Sequence, residues 1–379
     1  MNVNPIAWAA STLRLFTRID NDGVNRTVPV TEIRELPIGF PDMDIALLAK
    51  GTGATLAQVP DGTAAGGNKR GQYATDWQKS RASTNRIASG NYSTIGGGQS
   101  NTASGEYSTI AGGDNCTASS LYSFVGGGQS NTAQTNTHAA VCGGSGNTAS
   151  GQYSFVGGGS SNTASSGRAA VAGGQGNVAS GLYSFIGGGE SNTANSFYAA
   201  ISGGFGHTAD GNRSFIGGGA RGTARGIVGN HVFPACNIPI SFTQGVTQSA
   251  LLLLGRETTT NTATVLASDT SGAATTNQVI LPNNSAYSFS GEVIAGVTGA
   301  GNTARWTIDG AIKRGANAAS TVMVGTPTVT MTHFDAGAAT WVVAVTADTT
   351  NGGIAVTVTG AAATTIRWVC RINTTEMTY

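Results

Sequence analysis

Carboxylate pairs are the residues of this sequence that could carry hydrolytic chemistry, because cleavage of a glycosidic bond needs two carboxyl groups roughly 5 to 10 Å apart. Two pairs could in principle meet, Asp309 with Asp335 and Glu257 with Glu292. No spacing supports either pair, and Asp309-Gly310 and Asp335-Ala336-Gly337 are ordinary turn signatures. We therefore nominate no catalytic residue and expect that the protein is not an enzyme.

The four histidines are dispersed and do not have the spacing of metal ligands. His138 replaces a tyrosine and His207 replaces an asparagine of the repeat described below, which predicts solvated rim positions for both. His231 and His333 are isolated in the sequence. Triple-glycine segments recur but do not open helices, so they are not phosphate-binding loops. We expect neither a metal site nor a cofactor.

Three tryptophans near the C-terminus, Trp306, Trp341 and Trp368, could stack on sugars and so suit receptor binding. Each lies in an alternating strand run, which favours a role in the core. The cysteines lack metal-ligand spacing and suit thiols in small packing niches better than a disulfide framework. They are Cys116, Cys142, Cys236 and Cys370. The receptor-binding residues are left unassigned.

The elements that must position these residues have an unusual composition. Glycine accounts for 57 of 379 residues, and only 10% of residues are charged, against roughly 25% in a typical domain. A net charge of +1 without a Lys/Arg block gives no electrostatic footprint for nucleic acid or an anionic membrane. No stretch approaches the roughly 20 apolar residues that span a bilayer, and the N-terminus lacks a secretion-signal pattern. We expect no nucleic-acid partner and no membrane insertion.

An aliphatic residue recurs at steps of 15 residues, with one step of 16, between residues 91 and 226. Nine consecutive units share the template, which is too short for a helix pair but suits one coil of a parallel β-roll or β-helix with glycine at its corners. A degenerate unit from Trp77 to Gly90 would cap the first coil, with Trp77 in the position of Tyr92. The recurring aliphatics are Ile95, Ile110, Val125, Val141, Val156, Val171, Ile186, Ile201 and Ile216.

The residue before each aliphatic alternates between phenylalanine and alanine from residue 124 onward, as in Phe155 and Ala170. Two residues further along, glycine accompanies each phenylalanine and a residue with a side chain accompanies each alanine, so the true period is about 30 residues. Positions i and i+2 of a strand share a face. We expect the Ile/Val face to fill the interior of the chain and the Phe/Ala face to meet another subunit around a threefold axis. The reverse assignment is the alternative.

The sequence predicts an all-β fold in which a trimeric parallel β-roll or β-helix shaft precedes an antiparallel β-sandwich. Residues 1–65 suit an N-terminal adaptor and linker, residues 66–90 an entry segment and cap, and residues 91–226 the nine coils. Residues 227–379 are rich in Thr and Val with period-2 alternation, and we expect about nine or ten strands there.

The coils resemble those of known fibrous proteins. Asn101–Ser108 (NTASGEYS) and Gly187–Ala194 (GGGESNTA) are similar to the head repeats of trimeric autotransporter adhesins and, more closely, to the repeat arrays of bacteriophage tail fibres. Gly67–Gly71 with Asp76-Trp77-Gln78 resembles the segment that introduces such arrays, and the stretches around the three tryptophans resemble a distal domain of phage fibres. The likeness covers about residues 60–379 and does not extend to the first 60 residues.

This resemblance implies a homotrimeric bacteriophage tail fibre, a structural protein of the virion that is synthesised in the host cytoplasm. Its N-terminal adaptor would attach to a tail or neck protein of the virion, and its C-terminal sandwich would be the tip that contacts a host-surface glycan or protein. The alternatives are a tailspike that degrades polysaccharide and a fibre of the neck or capsid. A bacterial surface adhesin is disfavoured, because the sequence shows neither a secretion signal nor a membrane-anchor pattern.

Overall fold

The computed structural model describes residues 53–299 and 301–379 together with the backbone of two short strands near the N-terminus. These strands, β1 (Phe16–Arg18) and β2 (Val30–Glu32), pair antiparallel. Most of the expected adaptor, residues 1–65, lies outside the described residues. The chain forms two compact units, Met1–Ser130 and Asn131–Tyr379. The domain boundaries expected from the sequence stay predictions.

Parallel strands of two residues build the coils of the first unit. They are β3 (Thr55–Leu56), β4 (Thr75–Asp76), β5 (Thr94–Ile95), β6 (Thr102–Ala103), β7 (Thr109–Ile110), β8 (Thr117–Ala118) and β9 (Phe124–Val125). Strands β3, β4, β5, β7 and β9 form one ladder, and β6 pairs with β8 in a second. From β5 onward, paired residues are 15 positions apart.

The register of β4 corrects the placement of Trp77. Asp76 lies opposite Ile95, so Trp77 falls opposite Gly96 and cannot occupy the position of Tyr92. Tyr73 occupies that position instead, and its ring stacks on the ring of Tyr92 with centroids 4.9 Å apart. The predicted alignment of the second half of this unit is confirmed, because Ala88 bridges to Ala103.

Coils of the same kind build the N-terminal part of the second unit. Two parallel ladders run in register at steps of 15 residues, and isolated bridges such as Ser145 to Ser160 form a third side. The expectation of a parallel β-roll or β-helix is therefore confirmed. The first ladder contains β11 (Ala140–Val141), β13 (Phe155–Val156), β15 (Ala170–Val171), β17 (Phe185–Ile186), β19 (Ala200–Ile201) and β21 (Phe215–Ile216); the second contains β10 (Thr132–Ala133), β12 (Thr148–Ala149), β14 (Thr163–Ala164), β16 (Val178–Ala179), β18 (Thr193–Ala194) and β20 (Thr208–Ala209).

The interior of the coils is narrow and apolar. The aliphatic of each first-ladder strand and the alanine of each second-ladder strand are completely buried, as Val156 and Ala164 illustrate. Phe155 and Phe185, in contrast, are 40% and 45% exposed. The prediction that the Ile/Val face fills the chain's own interior is thus confirmed, and the reverse assignment is wrong.

A buried ladder of asparagines also runs through the coils, and it was not predicted from the sequence. The backbone N–H of Asn162 donates to Oδ1 of Asn147 (2.9 Å), and its own Nδ2 donates to the carbonyl oxygens of Gly158 and Gly174 (2.8 Å each). Each asparagine thereby satisfies backbone groups of its own coil and of both neighbours, which buried polar groups require.

A buried ion cluster lies at the N-terminal end of the described coils. Asp76 takes the ladder position that an aliphatic residue occupies elsewhere and is completely buried. Arg70 Nε and Arg81 Nη2 lie 2.8 Å and 3.2 Å from Oδ2 of Asp76. Burial lowers the pKa of Arg70, while the charge of Asp76 opposes that shift. The two arginines are held in place by this one carboxylate and by backbone carbonyls.

The C-terminal part of the second unit is an antiparallel sandwich of eleven strands and two short 3-10 helices, against the nine or ten strands expected. In chain order these are β22 (His231–Pro234), β23 (Thr247–Thr258), β24 (Thr264–Val265), β25 (Val279–Ile280), β26 (Ser285–Val297), β27 (Thr303–Arg314), a helix (Ala318–Ser320), β28 (Val322–Met323), β29 (Thr328–Phe334), a helix (Ala336–Ala338), β30 (Val342–Asp348), β31 (Gly353–Thr359) and β32 (Ile366–Thr378).

Two sheets enclose the core of this sandwich. The larger sheet has the order β22-β23-β32-β26-β27, with β28 and β29 paired to β27. In the smaller sheet, β31 pairs with β24, β25 and β30. Strand β22 also pairs in parallel with β21, so the larger sheet continues the first ladder of the coils. The expected antiparallel C-terminal sheet is confirmed.

A buried polar cluster joins the last coil to the sandwich. The carboxylate of Glu376 accepts hydrogen bonds from Arg225 Nε (3.1 Å), Gln248 Nε2 (2.8 Å) and Thr374 Oγ1 (2.8 Å). Burial and the charge of Glu376 raise the pKa of the neighbouring Tyr287 well above its usual value. The cluster holds residues that are far apart in sequence in one geometry.

Candidate functional site

The first pair of candidate carboxylates, Asp309 and Asp335, does not come together. Oδ2 of Asp335 accepts a hydrogen bond from the backbone N–H of Thr303 (2.8 Å). Thr303 and Asp309 lie six residues apart on β27, which corresponds to ~20 Å along an extended strand. That separation is well beyond the range in which two carboxyl groups share a glycosidic bond.

The second pair is also separated. Glu257 lies opposite Arg367 and Glu292 lies opposite Arg371, on the two strands that flank β32. Glu257 is paired with Arg367 (2.9 Å), and Arg305 on β27 draws Glu292 away from Glu257 (2.6 Å). The hydrogen bond and charge of Arg305 lower the pKa of Glu292, whereas a general acid needs a raised pKa.

The histidines occupy two kinds of environment. His138, His231 and His333 are exposed, as expected. The rim position predicted for His207 is wrong. His207 is completely buried in the asparagine ladder, because the repeat asparagine that it replaces points into the coil. Within residues 53–299 and 301–379, no three His, Cys, Asp or Glu side chains lie close enough to hold a metal ion.

The three tryptophans are core residues, which agrees with the favoured interpretation. Trp306, Trp341 and Trp368 are at most 3% exposed, and the ring centroids of Trp306 and Trp341 each lie 5.7 Å from that of Trp368. They are unavailable for stacking on a sugar. Two of the cysteines, Cys116 and Cys370, are buried in packing niches as predicted, but Cys142 and Cys236 are exposed.

The exposed phenylalanines of the second unit form one candidate interaction surface, the Phe face, which comprises Phe155 and Phe185 with the intervening Ala170. Each ring lies across the glycine two residues further on. A β-carbon on Gly157 would lie 3.4 Å from Cε1 of Phe155, and one on Gly187 would lie 3.6 Å from Cε1 of Phe185. The size complementarity expected between these positions is therefore present, and the rings remain open to solvent on their other side.

A second exposed feature, the corner ladder, was not predicted. In the first unit it is a stack of tyrosines, Tyr73, Tyr92, Tyr107 and Tyr122, with centroids 4.8 to 5.1 Å apart. In the second unit, Arg168 is inserted over the rings of Tyr153 and Tyr183. The tyrosines have φ of about +55° to +59°, an unfavourable conformation for a residue with a side chain. Stacking consumes their ring faces and leaves the edges exposed.

A third feature is a concavity of about 360 Å³ on the outer face of the larger C-terminal sheet. Phe233 on β22 and Leu251 on β23 supply its apolar wall. Polar side chains from two cross-strand rows line the remainder: Ser249, Thr375 and Ser288 in one row, and Asn373, Ser290 and Asp309 in the other. No Lys or Arg is among the described residues that line it.

Comparisons with known proteins give one structural likeness. No protein-family model matches the chain, and no curated protein is significantly similar to it in sequence. Among solved structures, the chain is similar to the tailspike protein of Acinetobacter phage vB_ApiP_P1, with 9% sequence identity and a TM-score of 0.22. The similarity covers 86% of this chain and 74% of the tailspike. No residue role transfers at this level.

The expectation that the protein is not an enzyme is corrected by this comparison. The similar structure is a tailspike, and a tailspike that degrades polysaccharide was the alternative that the expectation had set aside. The exclusion of enzymatic activity is therefore withdrawn, although the likeness shows no activity for this chain. The two described helices have three residues each, and neither is long enough to cross a membrane.

Proposed function

We propose that the protein is a homotrimeric tail fibre or tailspike of a bacteriophage virion that binds the surface of the host cell. The N-terminal adaptor attaches it to a tail or neck protein, and the C-terminal sandwich carries the receptor-binding surface. Three tips on one fibre convert weak individual contacts into avidity. The resemblance of the repeats to phage-fibre arrays supports the virion assignment, and attachment to the capsid is the remaining alternative.

The Phe face is the observation that carries the proposal. Large apolar side chains recur on one exposed side of a parallel coil stack, at every second coil, and monomeric proteins rarely expose such a contiguous row. Copies related by a rotation axis parallel to the stack bring identical coils to the same height. Layers of phenylalanine then alternate with layers of alanine along the axis, which buries the rings without a change of register.

The assembly is tested by light scattering on the full chain. The wild type should have about three times the chain mass of 37.9 kDa. Phe185→Glu places a charge at the threefold contact and should shift the protein to the monomer mass. Leu182→Glu changes a residue of similar exposure, 40% against 45%, outside the Phe face, and should remain trimeric. A monomeric wild type, or equal dissociation of both variants, contradicts the trimer.

Host recognition is tested with fluorescently labelled full-length protein on a panel of bacterial strains. Binding to a subset of strains, together with competition against phage adsorption on those strains, is the expected result. Absence of binding to every strain contradicts the function. Incubation of the protein with envelope polysaccharide from a bound strain, followed by an assay for reducing ends, separates the two forms of the proposal, because release of product assigns the chain to the degrading tailspikes.

A further inference from the structure

We propose that the concavity of the larger C-terminal sheet is a binding site for a neutral pyranose unit of the host glycan. This inference rests on the proposed function and names the site and the ligand class. The lining supplies hydroxyl groups, one amide and one carboxylate, all on a rigid sheet. Such a set of donors and acceptors, next to an apolar wall, is what recognition of a polyhydroxylated ring requires.

The carboxylate of Asp309 is the strongest acceptor in the concavity. Asp309 is exposed, and among the described residues none hydrogen-bonds to or pairs with it. An ionised carboxylate can accept from two neighbouring hydroxyl groups of one sugar ring, and hydrogen bonds to a charged group are stronger than those between neutral groups. Its neighbours across the strands, Ser290 and then Asn373, extend the polar row along the ligand.

Charge excludes other ligand classes. Phosphate, sulfate and uronate would meet the carboxylate of Asp309 without a cationic partner, because no Lys or Arg lines the concavity, and like charges repel. The apolar wall of Phe233 and Leu251 suits the C–H face of a sugar. The volume of about 360 Å³ lies at the small end of ligand sites, which limits occupancy to one or two sugar units.

A second copy of the chain fits this surface less well. The cores of protein interfaces are enriched in aromatic residues, Met and Arg, and depleted in Ser and Asp. Five of the six polar residues that line the concavity are Ser, Thr or Asp. The Phe face has the opposite character, so the two surfaces are suited to different partners.

Saturation-transfer NMR on the full-length wild type tests the site directly. The probes are glucose, galactose, mannose and N-acetylglucosamine, with galacturonate as the anionic comparison. At least one neutral sugar should receive saturation, and Asp309→Asn should weaken its binding about tenfold. Glu257→Gln removes a carboxylate from the same face of the sheet outside the concavity and should bind like the wild type. No transfer to any neutral sugar, equal transfer to galacturonate, or an unchanged Asp309→Asn overturns the inference.

A second variant separates the ligand site from an interface. Ser290→Leu fills the concavity and should abolish sugar binding while the assembled mass and the unfolding temperature stay unchanged. Loss of the assembled mass would instead make this face a subunit contact and overturn the inference. If labelled wild type and both variants bind cells equally, the inference fails and the proposed function stands. If the wild type binds no strain, the proposed function itself fails.

Discussion

Nδ1 of the buried His207 accepts a hydrogen bond of 2.9 Å from the backbone N–H of Gly222, one coil further on. This is the bond that the side-chain oxygen of an asparagine accepts in the other coils, as when Asn147 accepts from Asn162. An imidazole can accept only in its neutral form, with the proton on the other ring nitrogen. The ladder is therefore continued by a titratable group.

The first prediction concerns pH. Burial lowers the pKa of His207, and the Gly219 carbonyl opposes that shift, so the unfolded chain takes up a proton near its usual value of about 6.5 while the folded chain resists it. The contribution of His207 is complete above about pH 6.5 and is lost as the pH falls toward the lowered value. His207→Asn should flatten this part of the stability curve in thermal unfolding. The exposed His333→Asn should leave it unchanged, and an unaltered slope in His207→Asn would refute the assignment.

The second prediction concerns the glycine corners. Gly159 has φ of +87°, and a β-carbon there would lie 2.0 Å from the carbonyl oxygen of Gly174. Gly159→Ala should lower the free energy of unfolding by about 2 kcal/mol or more. At Gly173 a β-carbon would meet nothing within 4 Å, so Gly173→Ala should change stability by less than about 0.5 kcal/mol. Denaturant titration of both variants checks the contrast, and equal effects would contradict it.

The third prediction concerns the polar cluster between the last coil and the sandwich. Glu376→Gln leaves the charge of Arg225 largely buried without its counter-ion, since the Arg225 side chain is only 12% exposed. The free energy of unfolding should fall by about 3 kcal/mol. Glu257→Gln breaks an exposed pair, in which Arg367 is 72% exposed, and should cost less than about 1 kcal/mol. Similar losses in both variants would remove the special role of Glu376.

The fourth prediction concerns the N-terminal ion cluster. Asp76→Asn leaves Arg70 and Arg81 buried without a negative charge and should destabilise the first coils strongly, by about 3 kcal/mol. Replacing the whole cluster, with Asp76→Leu and both arginines changed to Met, should restore most of that loss because Leu fills an aliphatic ladder position. Hydrogen exchange of residues 53–110 measures the effect locally. A combined variant as unstable as Asp76→Asn would contradict this account.

Much of the fold could be predicted from the sequence because a repeat imposes one geometry on every coil. The 15-residue steps fixed which residues share a ladder, and period 2 identified the buried Val156 and the exposed Phe155. The misplacement of Trp77 arose in the one coil that departs from the template, where Asp76 replaces the aliphatic. Tyr73 lay at the correct distance from Tyr92 in the fold but not in the 15-residue count.

The candidate surfaces were harder to predict. The asparagine ladder was visible as a recurring residue, yet asparagine is usually a surface residue, so His207 was assigned to the rim. Nothing in the composition of the corners indicated that tyrosine adopts positive φ, because that conformation is unfavourable locally and is stabilised only by stacking on the neighbouring coil.

The sequence by itself determined the parallel coils, their interior and the antiparallel sandwich, because periodic burial depends on local spacing alone. Only the tertiary structure decided that Asp309 and Asp335 lie far apart, that Glu292 turns toward Arg305, and that Ser249, Asn373 and Asp309 line one concavity. These residues are up to 124 positions apart in the chain, and their neighbours are set by strand order and register, which no local pattern specifies.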